Sequence, residues 1–421
     1  MFSIRRGVLS VAPLLIATAA SAATWCVNPT GTGGCKTTIG AAVAAAAPGD
    51  TVVVAAGTYK ESITINQSVL LTGADAATTI IDATGQGNGI YVDGIDNQNL
   101  SGVYISGFTV QNANFEGILV TNASGVAISG NIIQNNDKGV NFASGMCPNI
   151  PSFETNEGED CGEGVHLSGA DHSVVANNTI QNNSGGVLLS DDTGATHDNL
   201  ISGNTVSNNV LDCGITLASH VPAALTKSTT PLGVYANVVD NNIASGNGVK
   251  GDGAGIGIFA SAPGTAAYNN VVTNNTATGN GIPGVTIHGH APNQNLNGNL
   301  ILANTLSGNG ADTIPTATPG PAAINIWAVS PIKGIVIGQN TISGEAYGVV
   351  VNAPGDFRVE RNSFTRGSVG VLNAGTGSVS ADGNYWGCSN DPRYEVPGFS
   401  ICASISGAVN LTTWSVAPIS K

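Results

Sequence analysis

Residues 164–186 read GVHLSGADHSVVANNTIQNNSGG, and this stretch decides the fold. It opens with a glycine followed by an apolar-x-apolar strand, and a second short strand ends in two asparagines. Alternation with period 2 over so few residues predicts β-strands rather than helices. Asn and Gly tolerate the left-handed backbone that sharp corners need, so the strands are predicted to meet at tight turns. The next glycine-led strand begins at Gly186, after about 22 residues.

The same glycine-led strand recurs along most of the chain. It begins at Gly117, Gly139, Gly164, Gly186, Gly214, Gly255, Gly284, Ala323, Gly348 and Gly370. One such coil cannot bury its apolar side alone, but coils stacked about 4.8 Å apart bury a continuous aliphatic column. The sequence therefore predicts an all-β protein, a single-stranded right-handed parallel β-helix with three sides. Asparagines at equivalent corners are expected to form hydrogen-bonded ladders.

The two ends differ from the repeats. Residues 1–22 have Arg5 and Arg6, an apolar run and small residues up to Ala22, and they predict a signal peptide cleaved after Ala22. Residues 23–60 are predicted to form an N-terminal cap with a short helix and the first coil. Residues 61–380 would form the β-helix, and residues 381–421 a C-terminal cap.

The net charge and the cysteines indicate which partners the protein does not bind and where it is located. The net charge of −14 argues against nucleic acid, whose binding depends on Lys and Arg, and against anionic lipid. No segment after the signal peptide predicts a membrane span. Three pairs of neighbouring cysteines are each expected to form a disulfide, namely Cys26 with Cys35, Cys147 with Cys161, and Cys388 with Cys402. Cys213 is predicted to be a small buried residue. A secreted or periplasmic protein is expected.

The ends also carry a resemblance to a known group of proteins. Residues 48–59, PGDTVVVAAGTY, and the closing motif Asn384-Tyr-Trp-Gly resemble the start and end of bacterial pectin-lyase-like and NosD-like β-helix proteins. This resemblance implies the same fold over nearly the whole mature chain. It implies less about function, because the fold hosts lyases, hydrolases, epimerases, adhesins and non-catalytic proteins.

Aligning the coils on their glycines predicts columns of outward residues beside loops of variable length. Phe259, His288 and Trp327 fall on three successive coils, with Thr286 and Asn325 next to them. Aromatic faces and hydroxyls at this spacing suit sugar rings. These five residues, together with His166 and Lys333, are the predicted polysaccharide-binding set. Packing under a loop is the alternative role for the rings.

A second group of residues is predicted to carry catalysis. Asp191 and Asp192 lie one coil from His220, Asp171 lies on the coil before, and His290 lies further along. Neighbouring carboxyl groups with a histidine can act as an acid and a base. A solvated turn is the alternative interpretation. A polygalacturonase-like arrangement would use the same aspartates with His288, His290 and Lys333, but the motifs of that family are not present as such.

Three groups of residues are candidate metal ligands. Asp191, Asp192 and Asp198 offer oxygen ligands for calcium, and so does the acidic loop from Glu154 to Glu163. Copper at His166, His220, His288 and His290, as a NosD-like role would require, lacks a tight ligand cluster.

Two functions follow from the sequence. The first is a polysaccharide hydrolase or lyase acting in a groove at the middle of the helix. No Lys or Arg lies between Gly139 and Val221, which disfavours lyase chemistry and an anionic polymer. The second is a non-catalytic extracytoplasmic solenoid that binds carbohydrate or acts like NosD.

Overall fold

The computed structural model describes residues 22–153, 160–221, 232–394 and 401–420. In this part of the chain, three long parallel sheets form the sides of a right-handed β-helix, as the repeats predict. The chain visits sheets A, B and C in turn, and each coil adds one strand to each sheet. A small fourth sheet, D, lies in the connection from sheet C back to sheet A.

The strands are short, as the alternation pattern predicts. Sheet A contains Thr24–Val27, Asp50–Val54, Val69–Gly73, Tyr104–Ser106, Ala127–Ser129, Val174–Ala176, Leu200–Ser202, Val238–Asp240, Val271–Thr273, Leu300–Leu302, Ile332–Gly338, Gly355–Glu360, Ser378–Ser380 and Val409–Asn410. Sheet B contains Gly57–Tyr59, Thr79–Asp82, Thr109–Gln111, Ile132–Gln134, Thr179–Gln181, Thr205–Ser207, Ile243–Ser245, Thr276–Thr278, Thr305–Ser307, Thr341–Ser343, Ser363–Phe364, Asn384–Tyr385 and Trp414–Ser415. Sheet C contains Ile63–Ile65, Ile90–Asp93, Ile118–Thr121, Glu163–Ser168, Gly185–Ser190, Ile215–Ser219, Ile256–Ala260, Val285–Gly289, Ala322–Ala328, Tyr347–Asn352, Val369–Asn373 and Ser404–Gly407. Sheet D contains Thr196–His197, Val234–Tyr235 and Ala267–Tyr268.

The core is one continuous column of aliphatic side chains. Within each strand of sheet C the inward residues are aliphatic, as with Val165 and Leu167, which are fully buried. On the next coil Val187 and Leu189 occupy the same positions. Residues between them in sequence point outward, so the outer face of sheet C is available for other chemistry.

Buried asparagine ladders hold the corners, as predicted. In each ladder the side-chain amide of one asparagine donates to the side-chain oxygen of the asparagine on the next coil. The longest ladder runs through Asn131, Asn178, Asn204, Asn242, Asn275, Asn304, Asn340, Asn362 and Asn384. The second runs through Asn136, Asn183, Asn209, Asn247, Asn280 and Asn309 and ends on Glu345. The third runs through Asn199, Asn237, Asn270 and Asn299.

The ladders explain the paired asparagines of the sequence. In Asn177-Asn178 the first residue has a φ of 55°, which turns the chain, and the second joins the ladder. Asn241-Asn242 divides the two tasks in the same way. Asparagine suits both positions because it accepts left-handed backbone and carries both a donor and an acceptor.

The first coil is covered by a single helix, Ile39–Ala45, which buries Ile39, Ala42 and Val43. The Thr38 side chain caps this helix, and the Glu61 carboxylate accepts from the amides of Ile39 and Gly40. Short 3-10 helices lie at Thr32–Gly34 and Pro392–Tyr394. The sheets continue through the predicted C-terminal cap as far as Ser415. Residues 1–21 of the predicted signal peptide lie outside the described residues.

The predicted disulfides are confirmed. Cys26 bonds to Cys35, Cys147 to Cys161 and Cys388 to Cys402, while Cys213 is free and buried. Disulfides of this kind indicate an extracytoplasmic protein. None of the helices in the described residues is long and apolar enough to span a membrane.

One predicted repeat was wrong. The stretch that begins at Gly139 resembles a coil strand, but strand Ile118–Thr121 pairs directly with Glu163–Ser168. Residues 135–162 are instead an insertion between sheets B and C. A pattern of four residues cannot distinguish a coil strand from an insertion, because register is set by pairing with the neighbouring coil.

Candidate functional site

A groove of about 390 Å³ lies on the outer face of sheet C. Its polar lining includes Asp160, Asp212, Asp252, His220 and His290. A smaller cavity of about 120 Å³ adjoins it and shares three of its lining residues, Asp252, Phe259 and His290. The two cavities follow the stacking direction of the coils, so together they form one elongated depression.

The described parts of the insertion, residues 135–153 and 160–162, contribute Ser144 and Asp160 to the lining of this groove. The Cys147–Cys161 disulfide ties it together, and Val140 and Leu211 pack with the two cysteines in a small apolar cluster. This packing holds Asp160 over the sheet, immediately before strand Glu163–Ser168.

Three neighbouring ionisable side chains, Asp160, His220 and Asp192, lead from the groove into the protein. His220 Nε2 lies 2.9 Å from Asp160 Oδ2, and His220 Nδ1 lies 3.0 Å from Asp192 Oδ1. Burial lowers the pKa of His220, but the two carboxylates outweigh this effect and hold the pKa well above its usual value. Burial likewise raises the pKa of Asp192, and His220 more than offsets it, so the net pKa lies below its usual value. The geometry supports an imidazolium fixed between two carboxylates.

Asp192 is itself anchored behind the groove. The Ser190 hydroxyl donates to Asp192 Oδ2 at 2.6 Å, and His166 Nε2 lies 2.8 Å from the Ser190 oxygen. Since the serine proton is directed to Asp192, the His166 Nε2–H donates to the serine. Burial lowers the pKa of His166 to about 4, so this ring is neutral at pH 7. His166 therefore positions other side chains from a place that is 1% exposed.

Three carboxyl groups converge beside His220. One oxygen each of Asp160, Glu163 and Asp212 lies within 4.8 Å of the others. Gly185 makes this possible, because a Cβ at that position would lie 2.7 Å from Glu163 Oε1. The Thr216 hydroxyl donates to Asp212 Oδ2 at 2.9 Å. Like charges this close repel one another unless an opposite charge lies nearby, and the His220 ring beside Asp160 can provide one.

Glu116 lies behind this cluster, on the preceding coil. Its Oε2 accepts from the Glu163 amide at 2.8 Å, and its Oε1 has no hydrogen-bond partner among the described residues. Burial raises the pKa of Glu116 to about 8. This side chain is therefore a neutral carboxylic acid at pH 7.

The far end of the groove carries rings and a second Asp–His pair. Phe259, His288 and Trp327 are register neighbours on three successive strands, as predicted. His288 is only 3% exposed, and its Nε2 lies 3.0 Å from Asp312 Oδ2. The rings meet edge to face, with the centroid of His288 5.7 Å from Phe259 and 5.6 Å from Trp327. Burial and the neighbouring His288 lower the pKa of His290, whose ring lies 5.4 Å from Trp327.

The structure brings part of the predicted set together. His220, Phe259 and His290 line the groove, and Asp192 supports His220 from behind. Thr286 and Asn325 are fully buried on the outer side of sheet C and line neither cavity. Asn325 donates to Asp312 Oδ2 at 3.2 Å.

Three predicted site residues lie elsewhere. Asp191 does not face the groove, because its carboxylate accepts from the Ser219 hydroxyl and from the backbone amides of His220, Leu232 and Gly233. Asp171 lies at the corner beside sheet D, where it accepts from Ser124 and His172. Lys333 is exposed on sheet A.

The predicted calcium ligands are not gathered. The Asp191 carboxylate accepts hydrogen bonds from protein groups, and Asp198 Oδ2 lies 2.8 Å from His197 Nδ1. Among the described residues, Asp160, Glu163 and Asp212 are the group of three whose ligand atoms are close enough for an ion. Glu154, Glu157 and Glu159 of the acidic loop lie outside the described residues.

Sequence reasoning does not single out Glu116, Asp212 and Asp252, and it includes Asp160 and Glu163 only as members of the acidic loop. Glu116, Glu163, Asp212 and Asp252 each lie one to three residues before a glycine that leads a strand of sheet C. The recurrent acid before the glycine is the signal that would have found them.

Comparison with known proteins agrees with the architecture. The family described as "Periplasmic copper-binding protein (NosD)" matches residues 43–227, which is less than half of the chain. No protein with a curated description matches the sequence. Among solved structures, ORF18 of Geobacillus virus E2 aligns with a TM-score of 0.52 and 14% identity, over 76% of this chain and 57% of that one. The chain shares the right-handed parallel β-helix fold with these proteins.

Two catalytic domains share this fold at similarly low identity. The Agl-KA catalytic domain aligns with a TM-score of 0.53 and 14% identity, over 89% of this chain and 64% of that one. The catalytic unit of the GH87 α-1,3-glucanase from Streptomyces thermodiastaticus strain HF3-3 aligns with a TM-score of 0.51 and 15% identity, over 90% of this chain and 66% of that one. The chain thus spans less than two thirds of the length of ORF18 and of the Agl-KA domain.

Proposed function

We propose that the protein hydrolyses glycosidic bonds of a polysaccharide bound along the groove of sheet C. The observation that carries this proposal is the pair Asp160 and Asp212, whose oxygens approach within 4.8 Å in an elongated groove beside Phe259. Two carboxyl groups are what glycoside hydrolysis requires. The α-1,3-glucanase that shares the fold is a polysaccharide hydrolase by name, which adds support from analogy.

The surroundings assign different roles to the two aspartates. The His220 imidazolium faces Asp160 and compensates its charge, so Asp160 serves as the carboxylate nucleophile. Asp212 lies next to Glu163, accepts a hydrogen bond from the Thr216 hydroxyl, and serves as the acid. Asp212 protonates the glycosidic oxygen, the bond to the anomeric carbon breaks, and Asp160 bonds to that carbon. Water that has lost a proton to Asp212 then releases the sugar.

The separation of the pair favours double displacement. Retaining enzymes place their two carboxyl groups about 5–5.5 Å apart, whereas inverting enzymes need about 6.5–9.5 Å to admit a water. The nearest oxygens of Asp160 and Asp212 lie within 4.8 Å of each other, which leaves less room for an intervening water than the inverting arrangement needs. We therefore expect the anomeric configuration to be retained.

Hydrolysis fits the groove better than β-elimination does. A lyase needs a strong base and a positive group to hold the uronate. Among the described residues, no Lys or Arg lines either cavity. This proposal replaces the roles predicted for Asp191 and Asp171, and it moves Asp192 from acid to positioning residue.

The test is release of reducing ends from a panel of polysaccharides by the purified mature protein. Asp212→Asn and Asp160→Asn are each expected to lower the rate by about 10²–10⁴-fold. The control is Asp356→Asn, because Asp356 is an exposed acid on sheet A. Full activity in both groove variants would overturn the assignment.

A second candidate function is cation binding without catalysis. The segment that matches NosD contains Glu116, Asp160, Glu163 and Asp212. A donor set made only of carboxylates favours a hard cation such as Ca²⁺ over copper. Calorimetric titration with Ca²⁺ and with Cu²⁺ decides this candidate, since a real site predicts binding of Ca²⁺ that Glu163→Gln abolishes. Heat of binding that is the same in both proteins would exclude the site.

We also propose export through the predicted signal peptide. The disulfides and the periplasmic description of NosD support this location. Sequencing the N-terminus of the exported protein should give Ala23 as the first residue, and a chain that still begins at Met1 would contradict the prediction.

A further inference from the structure

Acidic residues form a row along the groove. Asp160, Asp212 and Asp252 line the larger cavity, and Asp252 and Asp312 line the smaller one. Asp160 and Asp212 lie together, with oxygens within 4.8 Å of each other, and the row continues from Asp212 to Asp312 over the three stacking steps between strands Ile215–Ser219 and Ala322–Ala328. At about 4.8 Å per step the row covers about 14 Å. A single ion cannot use a row of this length, whereas a polymer with a repeating positive charge can.

Thr286 and Asn325 are fully buried on the outer side of sheet C, because their neighbours Ile287 and Ile326 point into the core. Asn325 Nδ2 contacts His288 and Asp312, which line the smaller cavity. Thr286 Oγ1 and Asn325 Oδ1 have no hydrogen-bond partner among the described residues, and of the two only the amide oxygen is restricted to accepting. The Asn325 amide nitrogen donates to Asp312, so its oxygen is the atom that needs a donor. The ligand is therefore expected to bring N–H or O–H groups.

We propose that the polysaccharide bound here carries free amino groups, as in a de-N-acetylated hexosamine polymer. This inference rests on the proposed function, because it names the substrate class of the same groove. Ammonium groups supply the positive charge that Asp252 and Asp312, the acids beyond the proposed catalytic pair, attract, and they supply a donor for Asn325 Oδ1. The sugar faces pack against Phe259 and Trp327, which flank His288 on successive strands. A uronate polymer would instead meet carboxylates with no Lys or Arg among the described lining residues.

The test compares two soluble probes by calorimetry with the whole mature protein. The probes are glucosamine hexaose and its fully N-acetylated counterpart. The amino hexaose is expected to bind at least about tenfold more tightly at 50 mM salt and to lose about tenfold in affinity at 500 mM salt, because salt screens exposed charges. The acetylated hexaose is expected to bind with little dependence on salt.

A matched pair of variants locates the effect. Asp252→Asn removes one charge from the middle of the row, and Asp356→Asn removes one from sheet A. Asp252→Asn is expected to weaken binding of the amino hexaose about fivefold, as one partly screened ion pair would, with the acetylated hexaose unaffected. Asp356→Asn should change neither. Equal loss in both variants would show non-specific attraction to an acidic protein and would overturn the inference.

Reducing-end release from the same probes separates this inference from the proposed function. Tight, Asp252-dependent binding without cleavage would overturn hydrolysis but leave the ligand class standing. Cleavage of neutral polysaccharides with no preference for amino sugars would overturn the ligand class and leave hydrolysis standing.

Discussion

Glu116 gives a prediction in which pH and stability are linked. Its side chain is fully buried behind the carboxylate cluster, and one oxygen accepts from the Glu163 amide. The Glu116→Gln variant keeps the shape of the side chain and an oxygen that can accept from the Glu163 amide, but its side chain has no carboxyl proton to lose. The variant therefore isolates the cost of holding an ionisable group in this place.

The magnitude follows from the pKa. Burial raises the pKa of Glu116 from 4.5 to about 8, which corresponds to about 5 kcal/mol at about 1.36 kcal/mol per pKa unit. Between these two values the folded protein keeps the proton that the unfolded chain has lost. Folding stability of the native protein therefore falls as the pH rises from about 4.5 to about 8. Glu116→Gln removes this fall, so it stabilises the protein at pH 8 and changes little at pH 4.5.

The assay is urea unfolding, followed by circular dichroism at several pH values between 4.5 and 8.5. The difference in free energy of unfolding between the variant and the native protein should grow with pH, to an upper limit of about 5 kcal/mol. Glu360→Gln is the control, because Glu360 is a partly exposed residue at the end of a sheet A strand. A difference for Glu116→Gln that stays constant across this range would refute the reasoning.

Two further predictions concern the ladder and the groove. Asn204→Ala removes two bonds donated by Asn204, and it leaves the backbone and side-chain donors of buried Asn178 without their acceptor. Each unsatisfied buried group costs about 1–3 kcal/mol, so Asn204→Ala should lower the free energy of unfolding by about 3–6 kcal/mol, as measured in urea. The control is Ser207→Ala on the outer face of sheet B, which should change that free energy by no more than about 0.5 kcal/mol. In the native protein His220 is fully charged below about pH 6.5 and loses its charge as the pH rises through its raised pKa. Asp192→Asn removes one of the carboxylates that raise this pKa, so it should lower the pKa of His220. The alkaline limit of hydrolysis should therefore move to lower pH, and a pH profile identical to that of the native protein would contradict the positioning role.

The fold was largely predictable from the sequence because its rules are local. A glycine, two inward aliphatic residues and an Asn-Asn corner recur at each coil, and each feature has one structural cause. Asn177 turns the chain and Asn178 joins the ladder, so the pair indicates a corner wherever it occurs. The stretch at Gly139 misled because four residues match the strand pattern without a partner on the next coil.

The site was predictable only in part, because it depends on which side of the sheet each loop covers. The alignment of coils placed Phe259, His288 and Trp327 correctly as neighbours. It could not show that Asp191 is enclosed by amides from another loop, since those donors lie about 30 to 40 residues away. Nor could it show that Gly185 leaves room for Glu163 to approach Asp212.

The most direct test of the central claim is proton NMR of the first products released from a susceptible polysaccharide. The close pair of Asp160 and Asp212 predicts reducing ends that appear first in the same anomeric configuration as the cleaved bond, and only later equilibrate. Products that appear first with the opposite configuration, or that carry the vinyl proton of an unsaturated sugar, would contradict hydrolysis by this pair.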